Sequence, residues 1–215
     1  MDELCLYLAM LGLAAYAVLG GADFGAGFWD LTAGGPQRGA RVRGVIERSM
    51  SPVWEANHVW LIFVLVVLWT AFPVFFGTIM SSLYIPLMVA ALGIIMRGTA
   101  FAVRGQAATI NSARGLGAIF ALSSVIVPFA MGAAIGGIVS GRVPVGNAQA
   151  DPWSVWLNPT SILIGVLAVA TGAYLAAVFL AGDARDIDLP DMVRAFRARA
   201  LGAGVVAGLI AIGGL

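Results

Sequence analysis

Residues 51–79 read SPVWEANHVWLIFVLVVLWTAFPVFFGTI, and their second part, Val59–Ile79, has no charged side chain. A helix needs about 20 mostly apolar residues to cross the hydrocarbon core of a bilayer. This run therefore predicts a membrane span. By the same rule, four other apolar runs predict complete spans: Leu4–Leu19, Leu83–Ala102, Leu116–Val139 and Ser161–Ala181.

The composition of the chain points in the same direction. Hydrophobic residues make up 60% of it and charged residues only 11%, whereas soluble domains have about 25% charged residues. A sixth apolar run begins near Ala200 and ends with the sequence at Leu215, too short to cross a bilayer alone. A charged connector, with a short surface helix after Pro190, is expected before it.

These runs predict an all-α fold: a polytopic membrane helix bundle of five full spans and part of a sixth. We expect residues 1–139 to form a first four-helix unit and residues 140–159 an external loop. Residues 160–215 then form the start of a second, incomplete unit. This organisation is the one expected of a fragment or of one half of a split polypeptide.

The arginines predict the orientation of the bundle, because all 12 positive side chains are arginines. Only Arg142 lies between spans two and three or between four and five. The others lie in or beside the odd-numbered connections: Arg38, Arg41, Arg43, Arg48, Arg97, Arg104, Arg114, Arg185, Arg194, Arg197 and Arg199. Positive residues accumulate on the cytoplasmic side of membrane proteins, so we expect the N-terminus to lie outside.

The residues that precede the apolar part of span two are unusually polar. Glu55 and His58 are three positions apart and share a helix face, with Asn57 between them. Glutamate and histidine are side chains that can pass protons. In the alternative interpretation, which spacing alone favours, they form a polar helix cap, and Trp54 and Trp60 are aromatic residues of the membrane interface.

Asp23, in GGADFGAGFWD, lies just beyond the apolar part of span one. An ionisable residue at such a depth is costly and normally faces a partner or water. Asp23 either belongs to a functional polar region or has a structural role, as a helix cap or as the charge partner of an arginine such as Arg97. The residues alone leave both options open.

The residue types that are missing restrict the chemistry of this chain. It has one histidine and one cysteine, so it lacks the two imidazoles of a typical membrane haem b and the ligands of a metal cluster. We therefore expect no metal and no cofactor bound by this chain alone. The net charge of +1 gives no basic surface for nucleic acid.

A second class of function is a small secondary transporter that uses Asp23 and Glu55 as coupling acids. Transporters of this kind have broken helices near the bilayer midplane, whereas these two acids lie toward one edge. A third possibility is an inactive relative that acts only as a scaffold.

Several motifs, taken together, resemble the second subunit of the cytochrome bd-type quinol oxidases. GGADFGAGFWDL is similar to the family's end of the first helix, and WEANHVWL is similar to its start of the second. Agreement continues, in order, through AFPVFF, SSLYIPLM, RGTAFAVRG and LNPTSILIGVLAV. The Trp-Glu-x-Asn-x-Val-Trp stretch is the most specific of these motifs.

The resemblance implies a haem-free accessory subunit in the bacterial plasma membrane, in contact with membrane lipid. Its partner would be the haem-bearing subunit I, which holds haems b and d and reduces O2 to water with quinol as donor. Some members also hold a quinone in this subunit as a structural lipid.

The resemblance also implies roles for individual residues. Glu55 and Asp23, with Asn57 and His58 beside them, would lie in or near a proton path at the subunit interface. Trp54 would lie at that interface, and Trp60 matches a position near a proposed route for oxygen.

The sequence departs from the family pattern in two places. Many members have an acid three residues before the position of Asp23, where this chain has Gly20, so a relay of paired acids is not expected here. Members also have about eight spans, and this sequence has six apolar runs.

Overall fold

The computed structural model describes residues 2–35, 37–50, 52, 54–104, 110–144, 146 and 151–214, and only the backbone of residues 104 and 110–114. Within these ranges the chain forms eight helices and no strand. They are α1 (Asp2–Leu31), α2 (Ala40–Met50), α3 (Trp54–Ala71), α4 (Pro73–Ser82), α5 (Tyr84–Arg104), α6 (Ile110–Val139), α7 (Pro159–Asp186) and α8 (Pro190–Gly213). The predicted all-α fold is confirmed.

Six of the described helices are long and apolar enough to cross a membrane: α1, α3, α5, α6, α7 and α8. The prediction for the sixth span was too short. Its helix begins at Pro190, ten residues before Ala200, and is 24 residues long. Proline suits the first turn of a helix because the N–H that it lacks has no helical partner there. The charged connector is therefore the first part of the same helix.

The second predicted span, Val59–Ile79, has different limits in the structure. Its helix, α3, begins at Trp54, so Glu55 and His58 lie within its first turns, and it ends at Ala71. Phe72 leaves the helical conformation, with φ −131° and ψ 56°, and Pro73 starts α4. The proline ring disfavours helical geometry in the residue before it, which explains the break.

The second half of α1 is the centre of the packing. It contacts both α6 and α7, while the first half of α1 contacts α3. Large apolar side chains remain exposed on many outer faces, for example those of Leu11, Trp69, Leu92 and Leu209. Such a surface suits contact with lipid tails.

Segment 140–159 joins α6 to α7 and is described in part. In it, Asn158 caps α7: its Oδ1 accepts a hydrogen bond from the Ser161 backbone N–H at 3.0 Å. The Asp151 carboxylate accepts one from the Ser154 N–H at 2.6 Å, which holds the pKa of Asp151 below its usual value. The position of this segment outside the membrane, and the division at 139 and 160, remain predictions.

Gly25 and Gly172 allow α1 and α7 to touch through their backbones. A Cβ atom on Gly25 would collide with the carbonyl oxygen of Gly172. Membrane helices associate through such close packing because lipid provides no hydrophobic force between them. This crossing fixes α1 in the bundle.

We expect Gly25→Ala to destabilise the folded chain by about 1–3 kcal/mol, the range for overpacking a close contact. Gly77→Ala in α4 is the matched control, since an added Cβ there meets nothing within 4 Å. It should be neutral or slightly stabilising because alanine favours helices. Unfolding followed by circular dichroism in mild detergent measures both variants. Equal effects would show that the α1–α7 crossing is not tight.

Candidate functional site

A short π-helical segment, Tyr16–Gly20, interrupts α1 just before Asp23. A π-helical turn breaks the regular hydrogen bonding of an α-helix, and such turns are frequent at functional sites. Here the side chain of Asn57, from α3, donates a hydrogen bond from Nδ2 to the Leu19 carbonyl oxygen at 3.3 Å. The amide thus joins the polar start of α3 to the irregular part of α1.

Asp23 is buried and forms an ion pair with Arg97 of α5. The Arg97 guanidinium donates to both carboxylate oxygens of Asp23, through Nη1 to Oδ2 at 3.0 Å and Nη2 to Oδ1 at 2.9 Å. Nη2 also donates to the Asp23 carbonyl oxygen at 2.9 Å. Asp23 is 0% exposed and Arg97 is 2% exposed. Of the two options from the sequence, the structure contains the ion pair with Arg97.

A serine hydroxyl and two phenylalanine rings also contact the Arg97 guanidinium. Its Nε donates to Ser124 Oγ of α6 at 2.9 Å, and Ser124 in turn donates to the Phe120 carbonyl oxygen at 2.6 Å. The rings of Phe24 and Phe120 lie on the guanidinium, each with its centre 4.9 Å from Cζ. Aromatic faces attract cations, more strongly where water is excluded. The pair therefore joins α1, α5 and α6 at one buried point.

His58 lies beside this point, half-buried among aromatic rings. The ring centres of Tyr16, Phe24 and Trp54 are 6.1, 5.9 and 6.4 Å from its own, all edge-on. His58 Nδ1 is 2.8 Å from the Trp54 carbonyl oxygen, which can only accept, so Nδ1 is the donor in this hydrogen bond and Nε2 has no partner among the described residues. Phe24 is shared, since it touches both His58 and Arg97.

Glu55 and Trp60 lie on the outer surface of α3. Glu55 is exposed and forms no hydrogen bond or ion pair with the residues that the structure describes. Trp60 is 37% exposed. The structure thus brings together Asp23, Asn57, His58, Trp54 and Arg97, and leaves Glu55 and Trp60 facing outward from the same end of α3.

Three partners of Arg97 were absent from the sequence prediction: Phe24, Phe120 and Ser124. The signal that could have found them is Arg97 itself, because a charge inside a membrane span requires several partners. Helix packing decides that these partners are two phenylalanines and a serine: Phe120 and Ser124 are four positions apart on α6, and Phe24 is adjacent to Asp23. Tyr16 was missed because nothing in YAVLG predicts a π-helical turn.

A sequence model described as cytochrome bd terminal oxidase subunit II matches residues 1–215. The chain belongs to this family. The family resemblance found in the motifs is thereby confirmed, and the transporter interpretation has no support. The chain is a multi-pass protein of the bacterial cytoplasmic membrane.

Curated relatives of this subunit II family member come from two well-known bacteria. Subunit 2 of the cytochrome bd ubiquinol oxidase of Bacillus subtilis (strain 168) is 29% identical over 169 residues, covering 77% of this chain and 48% of the relative. A putative cytochrome bd menaquinol oxidase subunit II of the same strain is 25% identical over 201 residues, covering 92% and 56%. Cytochrome bd-I ubiquinol oxidase subunit 2 of Escherichia coli (strain K12) is 26% identical over 178 residues, covering 78% and 45%.

The chain spans about half the length of these curated relatives. Among solved structures, the bd oxidase from Geobacillus thermodenitrificans superposes with a TM-score of 0.73 over 97% of this chain and 64% of that chain, at 24% identity. This similarity shows that the two chains share a fold.

Membership of the subunit II family implies a complex that contains haem and a further subunit. The residues of this chain do not fit a haem held by two imidazoles, because the sequence has one histidine and aromatic rings surround it. Among the described residues, no group of three or more His, Cys, Asp and Glu could hold a metal ion.

Proposed function

We propose that this chain is the haem-free accessory subunit of a bd-type quinol oxidase. Its partner is the haem-bearing subunit I, which holds haems b and d, oxidises quinol and reduces O2 to water. The observation that carries this proposal is that Glu55, an acid, faces outward from α3. Asn57 and the buried region around the Asp23–Arg97 pair hold this helix in place. An acid on an apolar helix surface requires a polar neighbour, and a second subunit provides one.

Glu55 and His58 are the proposed proton carriers at this interface. They lie three positions apart in the first turns of α3, where Glu55 is exposed and His58 is half-buried, and His58 Nε2 has no hydrogen-bond partner among the described residues. We assign Asp23 a structural role in the same polar region, because both of its carboxylate oxygens already accept hydrogen bonds from Arg97. Trp54 and Trp60 would contact the partner, and Trp60 would lie near the route that oxygen takes.

A structural quinone is proposed for a cavity of about 300 Å³ between α1, α6 and α7. Its lining is mostly apolar, as an isoprenoid chain requires. Tyr16 contributes to the lining, and its buried hydroxyl has no hydrogen-bond partner among the described residues. A quinone carbonyl is an acceptor that could satisfy this hydroxyl.

We propose that protons enter from the cytoplasm, which requires the N-terminus outside and α2 on the cytoplasmic side. A single cysteine at Gln37, in a Cys5→Ala background, should therefore resist a membrane-impermeant maleimide in intact cells and react after lysis. Gln37 is exposed, so burial in the chain would not explain protection. A cysteine at Trp153 should show the opposite behaviour. Labelling of Gln37 from outside, with Trp153 protected, would contradict the proposed orientation.

Purification tests the function itself. The tagged chain, produced together with subunit I of its own organism and extracted in mild detergent, should elute with a haem-bearing protein and support quinol-driven oxygen uptake. Produced alone, it should show no haem absorbance. The proposal fails if no haem protein co-elutes, or if the chain alone has a stoichiometric spectrum of haem with two imidazole ligands.

A further inference from the structure

A second cavity lies between α7 and α8, away from the site at α3. It has a volume of about 420 Å³ and opens on the outer surface of this helical hairpin. Its lining residues are Tyr174, Val178, Ala181, Gly182, Arg185, Val193, Arg197, Ala200 and Leu201. Two arginines and an otherwise mostly apolar lining thus share one cavity.

The two arginines of this cavity have no partner within the described part of the chain. Arg185 and Arg197 are both exposed, and neither forms a described hydrogen bond or ion pair. The ion pairs of the described residues include Arg41 with Asp191 of the same hairpin. The other acids near the turn are Asp183, Asp186 and Asp188, and none of them lines the cavity. The positive charge at the cavity is therefore available to an anion from outside the chain.

The cavity has the length of one membrane leaflet. Arg185 and Tyr174 are 11 residues apart on α7, about 16 Å at 1.5 Å per residue. Half of a typical hydrocarbon core is about 15 Å. Arg185 lies one residue from the end of α7 and Arg197 seven residues into α8, whereas Leu201 and Tyr174 lie 11 and 12 residues from those helix ends. The cavity is thus charged near the turn and apolar farther from it, as a phospholipid is charged at its head group and apolar along its acyl chains.

We infer that this cavity binds one anionic phospholipid of the bilayer. The phosphate lies between Arg185 and Arg197, and an acyl chain runs along Val178 and Leu201 toward Tyr174. Basic pockets between membrane helices on the cytoplasmic side are known to select anionic head groups. This inference concerns a surface separate from α3 and does not depend on the proposed oxidase function.

The test compares lipids of equal chain length and different head group. The full chain is purified in an uncharged detergent and titrated with phosphatidylglycerol or phosphatidylcholine, and bound lipid is counted by native mass spectrometry. Phosphatidylglycerol should bind more tightly. The double variant Arg185→Gln/Arg197→Gln should raise its dissociation constant roughly twenty-five-fold, since each basic residue near an anionic surface contributes about fivefold.

Two further variants separate charge from shape. Arg38→Gln/Arg194→Gln removes the same charge at exposed arginines outside the cavity and should leave lipid binding unchanged. Gly182→Phe fills the cavity, because an added Cβ there meets nothing within 4 Å, and should weaken both lipids without altering charge. If the double arginine variant does not fold, Gly182→Phe still decides whether lipid occupies the cavity.

Several outcomes would overturn the inference. Equal affinity for the two lipids, or equal loss in the two double arginine variants, would show that the cavity does not recognise a head group. Displacement of phosphatidylglycerol by inorganic phosphate alone at equal concentration would show a simple anion site. Loss of the partner subunit in the variants, with lipid binding intact, would show a protein interface instead.

Discussion

Arg97→Met is expected to lower the free energy of unfolding of the chain by about 3–5 kcal/mol, the usual cost of removing one member of a buried ion pair. Arg97 donates two hydrogen bonds to the Asp23 carboxylate and one to the Asp23 backbone carbonyl oxygen, and the variant removes all three. Asp23 is fully buried, so water cannot replace them. Unfolding in mild detergent, followed by circular dichroism, measures the loss.

The partner variant should be milder. Asp23→Asn removes the negative charge but leaves the Arg97 cation between the rings of Phe24 and Phe120, with Ser124 Oγ as an acceptor. These groups offset part of the lost attraction. The double variant Asp23→Asn/Arg97→Met should be more stable than Arg97→Met alone, because no unpaired charge remains buried.

Arg41→Met is the matched control for this experiment. The Arg41–Asp191 pair has side chains that are 61% and 37% exposed, and exposed pairs contribute about 0–1 kcal/mol. Its loss should therefore be small. If Arg97→Met costs no more than Arg41→Met, the buried pair does not hold α1, α5 and α6 together, and the structural role assigned to Asp23 is wrong.

The spans were predictable because apolar length determines membrane insertion almost without regard to neighbours. The exceptions are instructive. A short helix after Pro190 was predicted, but its continuity with the sixth span was missed, because Arg194, Arg197 and Arg199 interrupt the apolar run and do not interrupt the helix. The end of α3 at Ala71 was missed because Pro73 can kink a membrane helix or end it, and the local sequence does not decide which.

The sequence predicted which types of residue belong to the candidate site, but it did not predict which residues contact one another. Asp23, Glu55, His58 and Arg97 are conspicuous because charge within membrane spans is costly. Which arginine Asp23 would meet depends on how α1 and α5 both pack on α6, since Arg97 is 74 positions from Asp23 in sequence. Helix crossings follow from packing over whole faces, for example at Gly25 and Gly172, so side-chain contacts appear only with the structure.

The same argument explains why Glu55 was assigned to a partner and not to the core. Spacing places Glu55 and His58 on one face, and the structure divides that face: His58 is half-buried against Phe24, and Glu55 is exposed. Within the described part of the chain, the imidazole therefore has a partner at Nδ1 and the carboxylate has none. We therefore propose Glu55 as the point at which a proton from outside this chain enters.

Glu55→Gln is accordingly expected to slow quinol-driven oxygen uptake of the assembled oxidase by about tenfold or more. A positioned acid or base contributes typically about 10²- to 10⁴-fold to a proton-transfer step, and other steps of turnover hide part of that effect. Glutamine keeps the shape and the hydrogen-bonding capacity of glutamate but cannot ionise. Oxygen uptake by the purified complex, normalised to its haem absorbance, is the measurement.

Two variants control this experiment. Glu55→Asp keeps the carboxylate on a shorter side chain and should retain more activity than Glu55→Gln. Glu3→Gln makes the same chemical change at an exposed position in the first turn of α1 and should leave turnover unchanged. Haem content and co-elution of the partner should be the same in all three, because none of the changes removes a buried contact of the described chain. If Glu55→Gln keeps full turnover while Glu55→Ala prevents assembly, Glu55 serves packing and hydrogen bonding at the subunit interface, and protons enter elsewhere.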